Sequence, residues 1–366
     1  MKPICLLGEA QGEQEQKLGV GFVGTSGIEL LRMLNEAGAL RLTSVDYDYI
    51  NKFYRQSDPS FIDMIWRLHP EFHRTNVFQL RPPGNKIEAL CGSKAEAITG
   101  YPSISKSKYV RREFKSELER LGDELVQLDP NLIICLGNSA LWAMCGTTGV
   151  SKLRGTTAIS THTASGFKCL ATYHPAAVLR QWELRPVTII DLAKASREAL
   201  FPDIKRPKRK IWIEPGIEDM ECFNDLFITN CQLLSVDIET AGNQVTCIGF
   251  SPTPSTALVV PFLDTRRSDR SYWHNREDEA RAWQIIRTIL EDGRIKKTFQ
   301  NGLYDIAFLL RSVGIKVMGA EHDTMLCHHA LQPESLKGLG FLGSVYCDEG
   351  AWKGMRKKDD TIKRDA

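Results

Sequence analysis

Leu233-Leu234-Ser235-Val236-Asp237-Ile238-Glu239-Thr240 decides how this chain is read. Its apolar residues predict a buried β-strand, and it ends in two carboxylates one residue apart. Residues i and i+2 of a strand point to the same face. Asp237 and Glu239 therefore share one spot at the strand end, of the kind that suits a hard divalent cation. Downstream, Gln300-Asn301-Gly302-Leu303-Tyr304-Asp305 supplies a third carboxylate on a predicted helix, with Asn301 and Asp305 on one face at i,i+4 spacing. An isolated D-x-E is usually surface charge. Preceded by apolar residues and followed by N-x-x-x-D, it fits metal-dependent phosphodiester hydrolysis, where shared carboxylates let two cations clamp the attacking and leaving oxygens.

Around this stretch, residues 233–238, 245–250 and 257–261 read as three successive strands, a meander that predicts a mixed sheet. Helices are expected over 218–228 and 277–290. The first half has a different rhythm. Residues 4–7, 132–136 and 170–173 are short apolar strands. Helices over 26–37, 113–128, 138–144 and 186–200 alternate with them, the first opened by a capping box, Ser26-Gly27-Ile28-Glu29. Such alternation predicts a parallel sheet covered on both faces. Between the halves, Phe201-Pro202-Asp203-Ile204-Lys205-Arg206-Pro207-Lys208-Arg209-Lys210 reads as a solvated basic linker.

Composition bounds the rest. At roughly 100–200 residues per domain, a chain of 366 residues predicts two domains. The net charge of +2 leaves nucleic-acid binding to local patches. Ten cysteines without a C-x-x-C pair read as reduced, buried thiols. No signal peptide and no apolar run of membrane-spanning length is seen. The expected setting is the cytoplasm, bacterial or that of an infected host cell.

Three pieces of the first half stand out. They are Gly8-Glu9-Ala10-Gln11-Gly12 with Gly21-Phe22-Val23-Gly24, Asn76 leading to Arg81-Pro82-Pro83-Gly84-Asn85, and Tyr173-His174-Pro175. Each follows a predicted strand, and strand carboxyl ends form the binding crevice of an open parallel sheet. Taken singly, each is more often a turn, a cap or a satisfied histidine. Together, an aromatic face, an amide and an imidazole suit a base extruded from DNA.

In this order GEAQGE, GFVGTSGIELLRMLNEAG, NVFQLRPPGN, DPNLIICLGNSAL and YHPAAVLR resemble the uracil-DNA glycosylase superfamily, particularly its family 4 branch, over about residues 4–200. The resemblance implies that Phe22 stacks on the extruded uracil, that Asn76 hydrogen-bonds its edge, and that His174 stabilises its O2 as the glycosidic bond breaks. It implies that Gly8, Ala10 and Glu9 hold the sugar and water side, and that the loop after Pro175 presses on the DNA. The branch usually carries an iron–sulfur cluster on four cysteines. Here the N-terminal C-x-x-C is missing and Leu80 stands before Arg81-Pro82-Pro83, so no cluster is expected. Gln11 replaces the usual Pro. Ala10 stands where other branches carry a water-activating Asp, which points to stabilising a dissociative state rather than to a strong base.

Residues 233–352 resemble the proofreading 3′–5′ exonuclease domain of family A DNA polymerases. Ser235-Val236-Asp237-Ile238-Glu239-Thr240 matches its first motif and Asn301 to Asp305 its second, with His322-Asp323-Thr324 and Leu336-Lys337-Gly338-Leu339-Gly340 following. This implies an RNase H-like fold, with Mg²⁺ or Mn²⁺ on Asp237, Glu239 and Asp305. The third motif, Y-x-x-x-D, is not recognisable. Asp365 has the right order, but Thr361 stands where Tyr belongs.

The expectation is an α/β protein. A parallel-sheet glycosylase-like domain (1–203) and a linker (204–210) precede an RNase H-like exonuclease domain with a mixed sheet (211–366), C-terminally incomplete. Expected partners are uracil-containing DNA, single-stranded 3′ ends and a DNA polymerase domain or chain, as in the front part of a phage glycosylase–exonuclease–polymerase. The alternative, supported by Ala10 and the missing third motif, is a non-catalytic DNA-binding or polymerase-accessory protein. A phosphate-binding metabolic enzyme finds no support in RPPGN or YHP.

Overall fold

A computed structural model describes residues 2–347. Asp365 and Thr361 lie outside the described residues. The chain forms two compact units, residues 2–205 with 343–347, and Arg206–Leu342.

The first unit begins with β1 (Ile4–Ala10), α1 (Glu13–Leu18), α2 (Thr25–Glu36), α3 (Ser44–Gln56), α4 (Ser60–Arg67) and β2 (Phe72–Phe78). The two-residue strands β3 (Cys91–Gly92) and β4 (Tyr109–Val110) pair with each other. Then come α5 (Lys115–Leu128), β5 (Leu132–Leu136), α6 (Asn138–Cys145), α7 (Val150–Leu153), β6 (Thr157–Ile159), β7 (Lys168–Thr172), α8 (Pro175–Arg180) and α9 (Arg185–Glu198). The main sheet has the order β2-β1-β5-β7-β6. It is parallel except for β6, which pairs antiparallel to β7 at the edge. Alternate residues of one strand feed two apolar layers. Ile4, Leu6, Leu132, Ile134 and Leu170 enter one, and Cys5, Leu7, Ile133, Cys135 and Ala171 the other. Burial on both faces explains why these strands read as continuous apolar runs.

The Ser26 capping box does not form. α2 starts at Thr25 with Gly24 as N-cap. Glu29 is buried and takes the Arg185 guanidinium at 2.7 Å instead. An ion pair from α9 thus draws this carboxylate away from its own helix end.

The second unit comprises β8 (Lys210–Ile213), α10 (Ile217–Phe223), β9 (Leu233–Ala241), β10 (Gln244–Thr253), β11 (Thr256–Pro261), α11 (Arg276–Glu291), β12 (Lys296–Phe299), α12 (Gly302–Val313), β13 (Ala320–Asp323) and α13 (Thr324–Leu331). Its sheet order is β13-β12-β9-β10-β11-β8. β9, β10 and β11 form the antiparallel meander, and β12, β13 and β8 join in parallel. The sheet is mixed, as the spacing predicts. The basic stretch read as linker runs into β8, whose first residue is Lys210. The strand expected to be buried is buried on one face alone. Leu234, Val236 and Ile238 enter the core, while Ser235, Asp237 and Glu239 are exposed.

Candidate functional site

The carboxyl ends of β1, β2, β5 and β7 surround a cleft of about 760 Å³ in the first unit. Glu9, Ala10, Asn76, His174 and Arg180 are among its lining residues. Parallel register puts Gly8 beside Asn76. The approach is so close that a Cβ on Gly8 would lie 2.2 Å from Asn76 Oδ1 and 2.8 Å from the tip of the Phe22 ring. Asn76 is 2% exposed, and its Nδ2 has no hydrogen-bond partner. A buried, unpaired amide donor is costly to folding, and here it adjoins a cleft. From below, Arg120 fixes the Asn76 carbonyl with an N–H donated at 2.8 Å.

Phe22 lies behind this wall, 1% exposed, with its ring 5.9 Å from that of His174. Its backbone is left-handed (φ 58°), a conformation that costs a bulky residue energy unless neighbours enforce it. Three groups do so. The Glu15 carboxylate accepts the Phe22 N–H. The Trp66 indole donates to the Phe22 carbonyl at 2.9 Å. Gly27 admits that carbonyl where a Cβ would stand 1.8 Å from it. Arg74 adds a hydrogen bond to the Gly21 carbonyl at 3.0 Å. Glu15 also accepts the Gly12 N–H at 2.6 Å, tying the glycine-rich turn to the Phe22 loop.

His174 caps the N-terminus of α8. Its Nδ1 accepts the Ala176 N–H at 3.1 Å, so the neutral ring carries its proton on Nε2. Burial, helped by the Arg180 charge, pushes its pKa down to about 4. The imidazole is therefore neutral at physiological pH and offers a hydrogen-bond donor. Burial raises the Glu9 carboxyl, against a hydrogen bond from the Ser139 hydroxyl. Ala10 places no carboxylate on the cleft wall.

In the second unit, Asp237 and Glu239 share the exposed face of β9, and Asp305 projects from the first turn of α12. Asp305 is buried, and its Oδ1 accepts the Ile238 N–H at 3.1 Å. Burial first, then the neighbouring Asp237 and Asp323 charges, raise its pKa to about 6. Tyr304 and Thr240 share a hydrogen bond at 2.6 Å, fastening α12 to the end of β9. Asn301 departs from expectation. It is not on the helix face but forms the N-cap in left-handed backbone (φ 61°). The cause is Asp323, whose carboxylate accepts the N–H groups of Asn301 (3.1 Å), Gly302 (2.8 Å) and Met325 (2.9 Å). Asp323 is thus occupied by backbone.

Among the described residues, no three His, Cys, Asp or Glu side chains come together to hold a metal ion. Asp237 lies near enough to Asp305 for its charge to help raise the Asp305 pKa. In the first unit Leu80 packs on the apolar layer, with no thiolate at that position for a cluster.

Several positioning residues were invisible to pattern reading. Glu15 reads as one charge in a polar run, and Trp66 and Gly27 as ordinary helix residues. Their joint task is set by a fold contact. Arg180 did carry a signal, as the last residue of YHPAAVLR.

The family described as uracil DNA glycosylase superfamily matches residues 1–204. A 3′–5′ exonuclease family matches residues 226–363. The chain is 27% identical over 191 residues to a type-4 uracil-DNA glycosylase of Archaeoglobus fulgidus, covering 50% of this chain and 69% of that protein. A type-4 enzyme of Thermotoga maritima is 25% identical, covering 52% and 75%. A DNA polymerase of Bacillus phage SP01 is 24% identical over 258 residues, 63% of this chain but 27% of the polymerase. Among solved structures, Brucella melitensis NrnC is 16% identical over 39% of this chain and 63% of that one, with a TM-score of 0.28. Among the described residues, no helix is long and apolar enough to cross a membrane.

Proposed function

Because this chain belongs to the uracil DNA glycosylase superfamily, we propose that its first unit removes uracil, or a related base, from DNA by hydrolysing the N-glycosidic bond. The observation that carries the reading is that Asn76 and His174 both line the cleft, with Phe22 buried behind them, its ring 5.9 Å from that of His174. Asn76 brings a buried donor without a partner, His174 a neutral ring whose Nε2–H is free of the α8 cap, and Phe22 an apolar backing held in strained backbone.

The mechanism follows from these groups. Asn76 Nδ2 donates to the edge of the extruded base. The bond between N1 and C1′ breaks with its electron pair passing into the base. His174 Nε2–H donates to the base O2, where charge accumulates, and the low-dielectric surroundings strengthen this bond. A neutral imidazole gives this hydrogen bond without surrendering its proton. Water adds to C1′, and the proton it loses passes to the departing base anion, leaving an abasic sugar and free neutral base. With Ala10 on the wall, leaving-group stabilisation carries the rate, and Glu9 orients groups on the sugar side.

The second unit is of the 3′–5′ exonuclease type. Asp237, Glu239 and Asp305 are the proposed carboxylates, Mg²⁺ or Mn²⁺ the proposed metal, and single-stranded 3′ ends the proposed substrate. The match to a phage polymerase supports a role beside a DNA polymerase, and the accessory reading has no further support. Mass analysis of the products from a uracil-containing oligonucleotide tests the glycosylase. Free uracil plus an abasic strand is expected, and intact oligonucleotide would overturn it.

A further inference from the structure

The rim of the first-unit cleft carries an exposed aromatic ring on a regular helix. Phe53, Tyr54 and Tyr173 are the Phe and Tyr residues that line it. Phe53 is buried and Tyr173 half-buried, whereas Tyr54 is 53% exposed. α3 holds that ring in place. The Thr43 capping box with Asp46 fixes one end of the helix, and Ile50 and Phe53 anchor it in the apolar layer. Ser57, in left-handed backbone, closes the other end with its N–H donated to the Phe53 carbonyl at 2.7 Å. The Phe53 ring meets the Tyr54 ring edge-on, with centroids 5.6 Å apart. Tyr47, seven residues earlier, is 44% exposed. At i,i+7 spacing the two tyrosines stand on one outer face of α3, about 10.5 Å apart along its axis.

The charge of the cleft decides how a strand is held there. Glu9, Glu13 and Glu15 line it, opposed among its lining residues by Arg180 alone. A wall of this sign does not attract phosphate. Stacking of a base on an aromatic face needs no charge and tolerates any sequence. It does need a base whose face is free to turn toward the ring. In a duplex the base beside an extruded nucleotide is held by its pair inside the helix. In a single strand it can swing out to a ring on the rim.

We propose that Tyr54 stacks on the unpaired base next to the extruded nucleotide, with Tyr47 extending the same platform, so that α3 makes the first unit select single-stranded DNA. This rests on the glycosylase reading for the identity of the extruded base, but not for the stacking contact.

The test measures kcat/KM of wild type, Y54A and Y54F in EDTA on three 5′-labelled substrates that hold one uracil. They are a single strand, the same strand annealed to its complement, and a single strand with tetrahydrofuran abasic sites on both sides of the uracil. Y54A is expected to lose about tenfold on the plain single strand, carried mainly by KM. Y54F, which keeps the ring, should match wild type. On the duplex and on the strand with abasic neighbours, Y54A should also match wild type, because no stacking partner is there to lose. The loss should hold steady from about 50 to 200 mM KCl, since no phosphate contact is removed. An unchanged kcat/KM in Y54A would overturn the proposal. So would a loss as large on the duplex or beside abasic neighbours, or a loss confined to kcat, which would place Tyr54 on the extruded base instead. If wild type releases no base, the glycosylase reading fails by itself. Fluorescence anisotropy on the plain single strand then decides Tyr54 separately, equal affinity in Y54A and wild type refuting it.

Discussion

The Ala176 N–H donates to Nδ1 of His174 at 3.1 Å, and this bond sets which ring nitrogen carries the proton. The helix cap and the proposed electrophile are one side chain. The first prediction concerns its pH behaviour. The His174 pKa is depressed to about 4 by burial and the Arg180 charge, below the usual value of about 6.5. The folded state therefore binds fewer protons than the unfolded state between these values. Stability from the neutral ring is fully present above about pH 6.5 and is lost as pH falls toward 4. The single-turnover excision rate should stay flat from pH 8 to about 5, with no limb near 6.5. A pH series of rates, with melting curves at each pH, checks both.

Removing the ring should cost more than removing a cap. H174A is expected to lose about 10²–10³ in kcat, as for a lost oxyanion donor. Stability should fall by about 0.5–2 kcal/mol for the lost N-cap. An equal loss of activity and of folded protein would make the role structural.

Asn76 predicts the opposite balance. Its Nδ2 is buried without a partner, a situation that costs about 1–3 kcal/mol. N76A should leave the melting temperature unchanged or raise it, while excision falls by about 100-fold or more. Thermal denaturation and single-turnover kinetics measure the two separately.

Much of this was legible in the sequence. Apolar runs such as residues 4–7 announced a sheet buried on both faces, and the meander after Leu233 announced a mixed one. His174 was read from the sequence as following a strand whose end opens on the crevice, and it does follow β7, whereas Asn76, read the same way, lies inside β2. What was not legible is set by contacts distant in the chain. Glu29 looked like a capping residue until Arg185 reached it from α9. Asn301 looked helical until Asp323 took its backbone. The left-handed Phe22 depends on Glu15, Trp66 and Gly27 together, which no local pattern encodes.

Close approach makes two glycines diagnostic. A Cβ at Gly8 would meet Asn76 Oδ1 at 2.2 Å, and one at Gly27 would meet the Phe22 carbonyl at 1.8 Å. G8A displaces a side chain, so it should abolish excision with a loss of stability of about 1–3 kcal/mol. G27A displaces backbone, so it should cost more stability as well as activity. Denaturant titration of both variants orders them.

Asp305 gives a prediction for the second unit. Its pKa is raised to about 6 by burial and by the Asp237 and Asp323 charges. A raised carboxyl makes the folded state bind more protons, so stability falls as pH rises from about 4 through 6. In metal-free buffer at pH 7.5, D305N should be more stable than wild type by on the order of 2 kcal/mol, allowing for solvent. The gain should vanish near pH 4. Urea denaturation at the two pH values checks the sign.

The central claim is that the cleft of Asn76 and His174 excises uracil. The direct measurement is incubation of a 5′-labelled single strand bearing one uracil with excess protein in EDTA, followed by hot alkali. A single alkali-labile break at the uracil, lost in H174A, is the predicted result. A strand that stays intact, or a break that H174A makes as fast as wild type, would contradict it.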